Sequence, residues 1–215
     1  MIIDNGGTTL LSETPEIYGA EHLLFEKSSN EKNIEKLNKQ IEWWKKYVAS
    51  NGSTLDNNPS PGNKKGGLTT ILEKSLGAVS KAGNRKMVDV LDYAEQVKTK
   101  GFNFMNSPGY DPVSVTGQVA SGANVICFTT GRGSCFGFKP TPSIKIATNT
   151  NMYNKLSEDM DINAGTIMDN VASVNEVGKE IFDKIISVAS GEKSKSEIND
   201  YGDDEFNPWI IGATL

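Results

Sequence analysis

Short apolar runs alternate with longer segments of helical periodicity along the chain, and this alternation is what most constrains its fold. Five runs have the length and residue types of strands, and they lie at 8–11, 87–91, 102–105, 125–128 and 143–147. The segments between them carry apolar residues three and four positions apart, which is helical spacing. Strands separated by helices favour a layered α/β fold with a mainly parallel sheet flanked by helices. We therefore expect a Rossmann-like single domain over residues 1–215.

The sequence patterns of two of these strands predict different degrees of burial. Residues 125–128 form a continuous apolar run, which is typical of a strand buried on both faces. Residues 143–147 alternate instead, so we expect a half-buried strand in which Lys145 points away from Ile144 and Ile146.

Local capping signals place several helices. Asn30 precedes an apolar stripe at helical spacing and predicts a helix that ends at Asn51 and Gly52. Thr14, followed by proline, predicts another helix start with Thr14 as its N-cap. Residues 173–176 have the form of a capping box and predict a last long helix. We expect its buried stripe at Val174, Val177, Ile181, Ile185 and Val188. After a polar, acidic tail from 194 to 205, residues 206–211 resemble a docked terminal segment.

Two irregular segments are rich in hydrogen-bonding groups. Residues 52–69 form a polar insertion with prolines and glycines between two helical patterns, and a loop of this length is either functional or disordered. Residues 129–137 are glycine-rich and follow a strand, where ligands of parallel sheets gather. Together the two segments predict a site for a small polar anion.

Composition excludes several classes of protein. The formal net charge of −5 argues against nucleic-acid binding, which needs clustered cations. No apolar run approaches the ~20 residues that span a bilayer, and the first residues lack the basic and apolar regions of a secretory signal. We expect a cytoplasmic protein with no membrane partner. Cys127 and Cys135 then predict reduced thiols, and the single histidine, His22, leaves little material for a histidine-based metal site or triad.

Two known motifs fail on inspection. The segment from Gly131 departs from the dinucleotide fingerprint, because Phe136 stands where the third glycine belongs. Residues 159–170 begin like a calcium-binding loop but have Ala164 and Asn170 where that loop needs glycine and glutamate. We therefore expect no dinucleotide site, and a solvated turn at 159–163.

Several side chains remain as chemical candidates. Arg132 stands between two glycines, which leaves its guanidinium room for a bidentate contact with a carboxylate, although a plain surface arginine has the same spacing. Lys74 is a candidate for binding an anion, and the alternative is an ordinary lysine exposed to solvent. Glu13, Glu21 and His22 surround one predicted strand-to-helix turn, where they would ligate a hard divalent cation or move protons. The alternative is that these acidic residues complement a helix dipole.

Taken together, the motifs resemble those of a known family. They read GGTTLLSETPEIYGAE at 6–21, NPSPGNK at 58–64, GGLTT at 66–70, EKSLG at 73–77, VDVL at 88–91, SPG at 107–109, FTTGRG at 128–133 and KIATN at 145–149. In this order they resemble the C-terminal region of altronate and galactarate dehydratases over essentially the whole chain.

The resemblance implies a hydro-lyase acting on a hexonate or hexarate. Such an enzyme removes a proton next to a carboxylate and expels the neighbouring hydroxyl as water, giving a 2-keto-3-deoxy acid. It also implies a divalent metal, Fe²⁺ or alternatively Mn²⁺. The carboxylate must be held by cations while it becomes an enediolate.

Site roles follow from the resemblance together with the residue chemistry. Lys74 and Arg132 would stabilise the substrate carboxylate, and His22 is a candidate base. Glu13 and Glu21 would act on a metal or in proton transfer. The groups expected to bind sugar hydroxyls are Asn58, Ser60, Asn63 and Thr130.

The resemblance also implies partners. Family members are about twice as long, so we expect this chain to work with a missing N-terminal region of the same enzyme and to form a homo-oligomer. Two alternatives remain open. One is a non-catalytic assembly domain whose interface includes Trp43 and Trp209, and the other is a subunit of a sulfolactate sulfo-lyase type of enzyme.

Overall fold

The computed structural model describes residues 1–55, 65 and 69–212. Contacts divide the chain into two compact units, Met1–Gly122 with Pro208–Leu215, and Ala123–Asn207. The expectation of one domain over 1–215 stays a prediction. Within the described ranges, no helix has both the length and the apolar character that crossing a membrane requires.

The first unit contains a parallel sheet that has, among the described residues, three strands in the order β1-β3-β2. The strands are β1 Thr9–Leu11, β2 Met87–Leu91 and β3 Phe102–Met105. The helices are α1 His22–Phe25, α2 Glu31–Ser50, α3 Ile71–Ser80 and α4 Asp111–Ala120, with 3-10 helices at Ile3–Asn5 and Thr14–Ile17. Phe102 in the central strand pairs with Thr9 on one side and Met87 on the other.

The second unit contains another parallel sheet, in which the described strands have the order β4-β5-β6. These are β4 Ile126–Thr130, β5 Ser143–Ala147 and β6 Ile162–Asn163. The helices are α5 Thr150–Lys155, α6 Val174–Ala189 and α7 Lys195–Ile198, with a 3-10 helix at Ala164–Ile167. Parallel strands flanked by helices in both units confirm the predicted layered α/β class.

Hydrophobic burial explains how the elements of each unit hold together. In the first unit α1 and α2 pack Leu24 and Leu37 against Phe104 of the sheet, and all three side chains are fully buried. In the second unit Ile144 and Ile146 of β5 form a core with Val188 of α6. Each such side chain contributes about 1.5–3 kcal/mol of transfer free energy.

The capping predictions have mixed outcomes. Asn30 caps α2 by accepting the Asn33 N–H at 2.9 Å, and Ser173 forms the predicted capping box with Glu176. The prediction for Thr14 is wrong: Glu13 stands at the N-cap of a short 3-10 helix. Thr14 donates its hydroxyl to Asn106 Oδ1 at 2.7 Å instead, because the loop after β3 lies alongside.

The burial predictions for β4 and β5 are wrong in opposite senses. In β4 Ile126 is buried but Cys127 is exposed, so only one face of this edge strand is covered. The central strand β5 is buried at every residue, and Lys145 is 0% exposed. Lys145 does lie on the face opposite Ile144 and Ile146, but that face is covered too. In α6, Val174 is exposed rather than part of the buried stripe, since it is the first residue of the helix.

The tail is more structured than the sequence indicates. The polar stretch after 193 contains α7, which begins at a second capping box on Ser194. The turn at 159–163 is not simply solvated, since the Asp161 side chain is 0% exposed and accepts the Lys195 N–H at 3.0 Å. Trp209 docks against Trp44 with stacked rings 5.3 Å apart. Its apolar neighbours Phe206, Ile210 and Ile211 stay exposed.

Candidate functional site

The carboxyl ends of the strands in the first unit carry a group of charged and polar side chains. Ser12 to Glu16 follow β1, and Asn106 to Tyr110 follow β3 and lead into α4. Because the strands are parallel, both loops leave the sheet at the same edge. This edge is the place where parallel sheets bind ligands, so it is the candidate site of the first unit.

Glu13 has an unusual backbone conformation at this edge. Its φ of +74° lies in the left-handed region, which is costly for residues other than glycine. One hydrogen bond from Glu13 and one from Thr14 join this segment to the loop after β3. The Glu13 N–H donates to Ser107 Oγ at 3.0 Å, and the Thr14 N–H donates to the Ser107 carbonyl at 3.0 Å. A strained residue at such an edge is a recognised mark of a functional position.

The Glu13 carboxyl is also electrostatically unusual. Loss of solvation raises its pKa to about 8, and the negative charges of Glu16 and Asp111 act in the same direction. The positive charges of Lys81 and Lys74 oppose this rise without cancelling it. A carboxyl with a pKa near neutrality can accept or release a proton at physiological pH.

Glu16 and Lys74 form an ion pair beside Glu13. Lys74 Nζ lies 2.6 Å from Glu16 Oε1, and the side chains are 22% and 11% exposed. A Cβ atom at Gly109 would lie 3.2 Å from the same oxygen, so the glycine leaves room for the carboxylate. The pKa of Asp111, at the start of α4, is raised by loss of solvation and then by the charge of Glu16.

Asn106 connects this edge to an aromatic cluster. Its Oδ1 accepts from Thr14 Oγ1 at 2.7 Å and from Trp44 Nε1 at 2.8 Å. Trp44 in turn stacks on Trp209. The indole N–H is only a donor, so the amide oxygen of Asn106 must face it.

The carboxyl ends of the strands in the second unit carry the glycine-rich loop. Thr130 Oγ1 accepts the N–H groups of Arg132 at 3.3 Å and of Gly133 at 3.1 Å. Asn149 donates its amide to the Gly131 carbonyl at 2.8 Å. These bonds fix the loop backbone while the Arg132 side chain stays exposed.

Lys145 lies buried beneath this loop. Its Nζ donates to the Ser134 carbonyl at 3.1 Å, lies 4.0 Å from Asp159 Oδ1, and sits 4.9 Å from the centre of the Tyr201 ring. Burial holds the pKa of the Lys145 ammonium below its usual value, although Asp159 and Asp161 act to raise it.

The residues predicted from the sequence are distributed unevenly. Thr130 and Arg132 are brought together, and Lys74 lies with Glu16 near Glu13. His22 is exposed at the start of α1. Within the described ranges, no hydrogen bond or ion pair links Glu13 to His22 or Glu21, and Glu21 Oε2 is buried without a partner there. The predicted hydroxyl-binding residues Asn58, Ser60 and Asn63 lie outside the described residues.

The arrangement of the same side chains bears on metal binding. In the part of the chain that the structure describes, no three histidine, cysteine, aspartate or glutamate side chains are arranged to hold an ion. The carboxylates of Glu13, Glu16 and Asp111 influence one another without forming such a group. The described residues therefore do not fit a complete site for the divalent ion that the resemblance implies.

Three residues that sequence reasoning did not assign to a site lie at these edges. Ser107 accepts from Glu13, Asp111 is coupled to Glu16, and Lys145 supports the glycine-rich loop. A signal existed for Asp111, since it starts a helix just after a strand. Another existed for Lys145, a charged residue between two isoleucines of a strand.

Comparison with known proteins places the chain in a family. Residues 1–214 match the family described as D-galactarate/altronate dehydratase, C-terminal. An altronate dehydratase of Escherichia coli K12 is 40% identical over 93% of this chain and 40% of its own length. A galactarate dehydratase (L-threo-forming) of the same organism is 40% identical over 90% of this chain and 37% of its own.

A (2R)-sulfolactate sulfo-lyase subunit beta of Chromohalobacter salexigens is 30% identical over 91% of this chain and 51% of that subunit. The chain thus spans about 40% to half of the length of these curated relatives. Its match runs from the first residue to 214. The chain belongs to the D-galactarate/altronate dehydratase family and corresponds to the C-terminal region of that family.

Proposed function

We propose that this chain is the C-terminal region of a hydro-lyase that removes water from a hexonate or hexarate, and that Glu13 is its general base. One observation carries the proposal: Glu13 lies in a strained conformation at the carboxyl end of β1, with a pKa raised to about 8. The names of the relatives, altronate and galactarate dehydratase, supply the substrate class.

The chemistry needs a base of this kind. The hydrogen next to a carboxylate is very weakly acidic, so a side chain must take it while the carboxylate becomes an enediolate. The neighbouring hydroxyl then leaves with a proton as water, and the enol rearranges to a 2-keto-3-deoxy acid. A carboxylate with a pKa near 8 is a stronger base than an ordinary glutamate and is still ionised in part at neutral pH.

Cationic side chains have a complementary role in the proposal. Lys74 would stabilise negative charge that develops near Glu13, and its pairing with Glu16 holds its ammonium in place. Arg132 would bind a carboxylate through its exposed guanidinium, on a loop whose backbone is fixed by Thr130. Thr130 would also bind a substrate hydroxyl.

The proposal includes a metal and further protein. A divalent ion, Fe²⁺ or Mn²⁺, would supply a Lewis acid for the substrate oxygens, with its ligands mainly outside the described residues. The longer relatives favour a role for this chain inside a larger enzyme. We propose that this enzyme is a homo-oligomer.

A second candidate function is that of a sulfo-lyase subunit. The 30% identity with a sulfolactate sulfo-lyase subunit beta favours it. Such an enzyme would also take a small hydroxy acid, and Glu13 would again remove a proton next to the carboxylate. The two functions would differ in the substrate and in the group that leaves it.

The test is an assay of the enzyme that contains this chain, with hexonates, hexarates and sulfolactate as substrates and iron added. We expect 2-keto-3-deoxy acid from one of the sugar acids. Glu13→Gln should lower kcat/KM by about 100-fold or more, whereas Glu35→Gln, an exposed control on α2, should not. Activity on sulfolactate alone would favour the second function, and no activity on any of these acids would favour an assembly role.

The role of Arg132 has its own test. Arg132→Ala should weaken kcat/KM for the substrate by far more than twofold, because it removes a bidentate contact to a charged group. A change within about twofold, which is less than about 0.5 kcal/mol of transition-state stabilisation, would refute the role.

A further inference from the structure

Ser107 is fully buried behind Glu13, and its side chain is bonded in an unusual way. Its Oγ accepts the Glu13 N–H at 3.0 Å. The same oxygen lies 3.0 Å from the Pro108 carbonyl and 3.1 Å from Ser114 Oγ, to either of which it can donate. A serine hydroxyl has one hydrogen and two lone pairs, so these contacts are all compatible with one oriented group.

The hydroxyl belongs to a chain of buried polar groups. Ser114 Oγ lies 2.7 Å from Ser12 Oγ, and Ser12 Oγ accepts from Gln118 Nε2 at 2.7 Å. Ser107, Ser114 and Ser12 are each at most 5% exposed. These bonded side chains therefore connect the loop after β1 and the loop after β3 to α4, and the three serines among them are out of reach of solvent.

This arrangement explains how Glu13 keeps its left-handed backbone. A buried N–H without an acceptor is destabilising, and at φ +74° the Glu13 N–H finds its acceptor in Ser107 Oγ rather than in a neighbouring backbone carbonyl. The Thr14 N–H is bonded to the Ser107 carbonyl and needs no side chain. Of the N–H groups of Glu13 and Thr14, only that of Glu13 is therefore bonded to the side chain of Ser107.

We propose that Ser107 is a positioning residue for Glu13: its hydroxyl holds the Glu13 backbone in the left-handed conformation that directs the carboxyl to the edge of the sheet. The inference rests on the proposed function only where it concerns activity. The conformation of Glu13 is a property of the folded chain and is measured without substrate.

The test compares Ser107→Ala with Ser121→Ala in the full chain. Ser121 is a matched control, since it is buried to a similar extent in the same unit but its side chain donates to Met105 Sδ at 3.1 Å, and it has no hydrogen bond to either loop among the described residues. The first readout is amide hydrogen exchange by NMR. We expect Ser107→Ala to speed exchange of the Glu13 N–H by about tenfold or more while the Thr14 N–H stays protected. The three-bond coupling between the amide hydrogen and the α hydrogen of Glu13, which reports φ, should move away from the value expected for the left-handed conformation.

Two outcomes overturn the proposal. Unchanged exchange and coupling at Glu13 in Ser107→Ala would do so, and so would an equal change in Ser121→Ala. If Ser107→Ala does not fold, Ser107→Cys, whose thiol is of similar size but a weak acceptor, is measured in its place, and an unaltered Glu13 N–H in that variant overturns the proposal.

Kinetics of the enzyme add a readout that a loss of stability alone would not move. Ser107→Ala should lower kcat with little change in KM, because it displaces the base and leaves substrate binding in place. An equal loss in Ser121→Ala would overturn the positioning role. If Glu13→Gln keeps full activity, the proposed function fails, and the exchange result still decides the role of Ser107.

Discussion

Lys74 and Glu16 form an ion pair with Nζ and Oε1 2.6 Å apart, and the charges of both residues act on the pKa of a third side chain, the carboxyl of Glu13. Glu16 therefore acts on Glu13 in two ways. Its own negative charge raises the pKa of Glu13. Its pairing with Lys74 also offsets the positive charge of Lys74, and that positive charge by itself lowers the pKa of Glu13. The ionisation of Glu13 therefore depends on the Glu16–Lys74 pair as well as on its own loss of solvation.

Replacing Glu16 tests this coupling. Glu16→Gln removes a like charge beside Glu13 and removes the carboxylate that pairs with Lys74, and both changes lower the pKa of Glu13. We expect its midpoint to fall from about 8 by about one pH unit or more, as followed by carbon NMR of labelled glutamate carboxyls. Glu35→Gln is the control on an exposed helix face. A midpoint that stays in place would contradict the coupling.

The strain at Glu13 predicts an unusual order of stabilities. At φ +74° a residue with a Cβ is disfavoured and glycine is not. Glu13→Gly should therefore be more stable than Glu13→Ala by about 1 kcal/mol. At ordinary backbone angles the order is reversed, and glycine is the less stabilising of the two residues. Urea unfolding of the two variants measures the difference. Equal stability, or a more stable alanine variant, would show that the backbone is not strained there.

Lys145 predicts a dependence of stability on alkaline pH. Its pKa is lowered by burial in the folded chain, so the unfolded chain holds this proton more tightly. The free energy of unfolding then gains a rising contribution as the pH increases from the folded-state pKa to the ordinary value of 10.5.

Lys145→Met removes the titrating group and should lack this gain. Other lysines, such as Lys36 and Lys139, have raised pKa values, so their stabilising contribution is lost only as the pH rises above the ordinary value of 10.5. They are common to both proteins, so the difference between wild type and variant isolates Lys145. Urea unfolding at several pH values measures it. Parallel curves for the two proteins would contradict the prediction.

Trp209 predicts a contrast between two substitutions. Its ring stacks on Trp44, but its buried Nε1 has no hydrogen-bond partner among the described residues. Trp209→Ala should cost about 2 kcal/mol, since it removes aromatic contacts of a half-buried ring. Trp209→Phe should cost clearly less, because it keeps an aromatic ring and the indole N–H has no bond to lose among the described residues. Chemical unfolding followed by circular dichroism measures both, and equal losses would contradict this account.

The sequence predicted what depends on neighbours along the chain. The Asn30 cap and the capping box at Ser173 involve residues three positions apart, and both are confirmed. Parallel strands were predicted from alternation, because the helical connections leave few other arrangements.

What depends on distant residues was missed. The conformation of Glu13 rests on Ser107, 94 positions away. The burial of Lys145 rests on Ser134, Asp159 and Tyr201, which come from three separate segments. No local pattern marks such contacts. Glu13 was therefore predicted as a metal or proton-transfer group without its strained backbone, and Lys145 was expected on the open face of a half-buried strand.

If Glu13 takes the substrate proton, its ionisation must govern kcat/KM for water loss from the sugar acid. We expect kcat/KM to rise with pH through a midpoint near 8 in the wild-type enzyme. In Glu16→Gln the midpoint should move to lower pH, and in Glu13→Gln the remaining rate should lack this limb. A rising limb near 8 that persists unchanged in Glu13→Gln would contradict the claim.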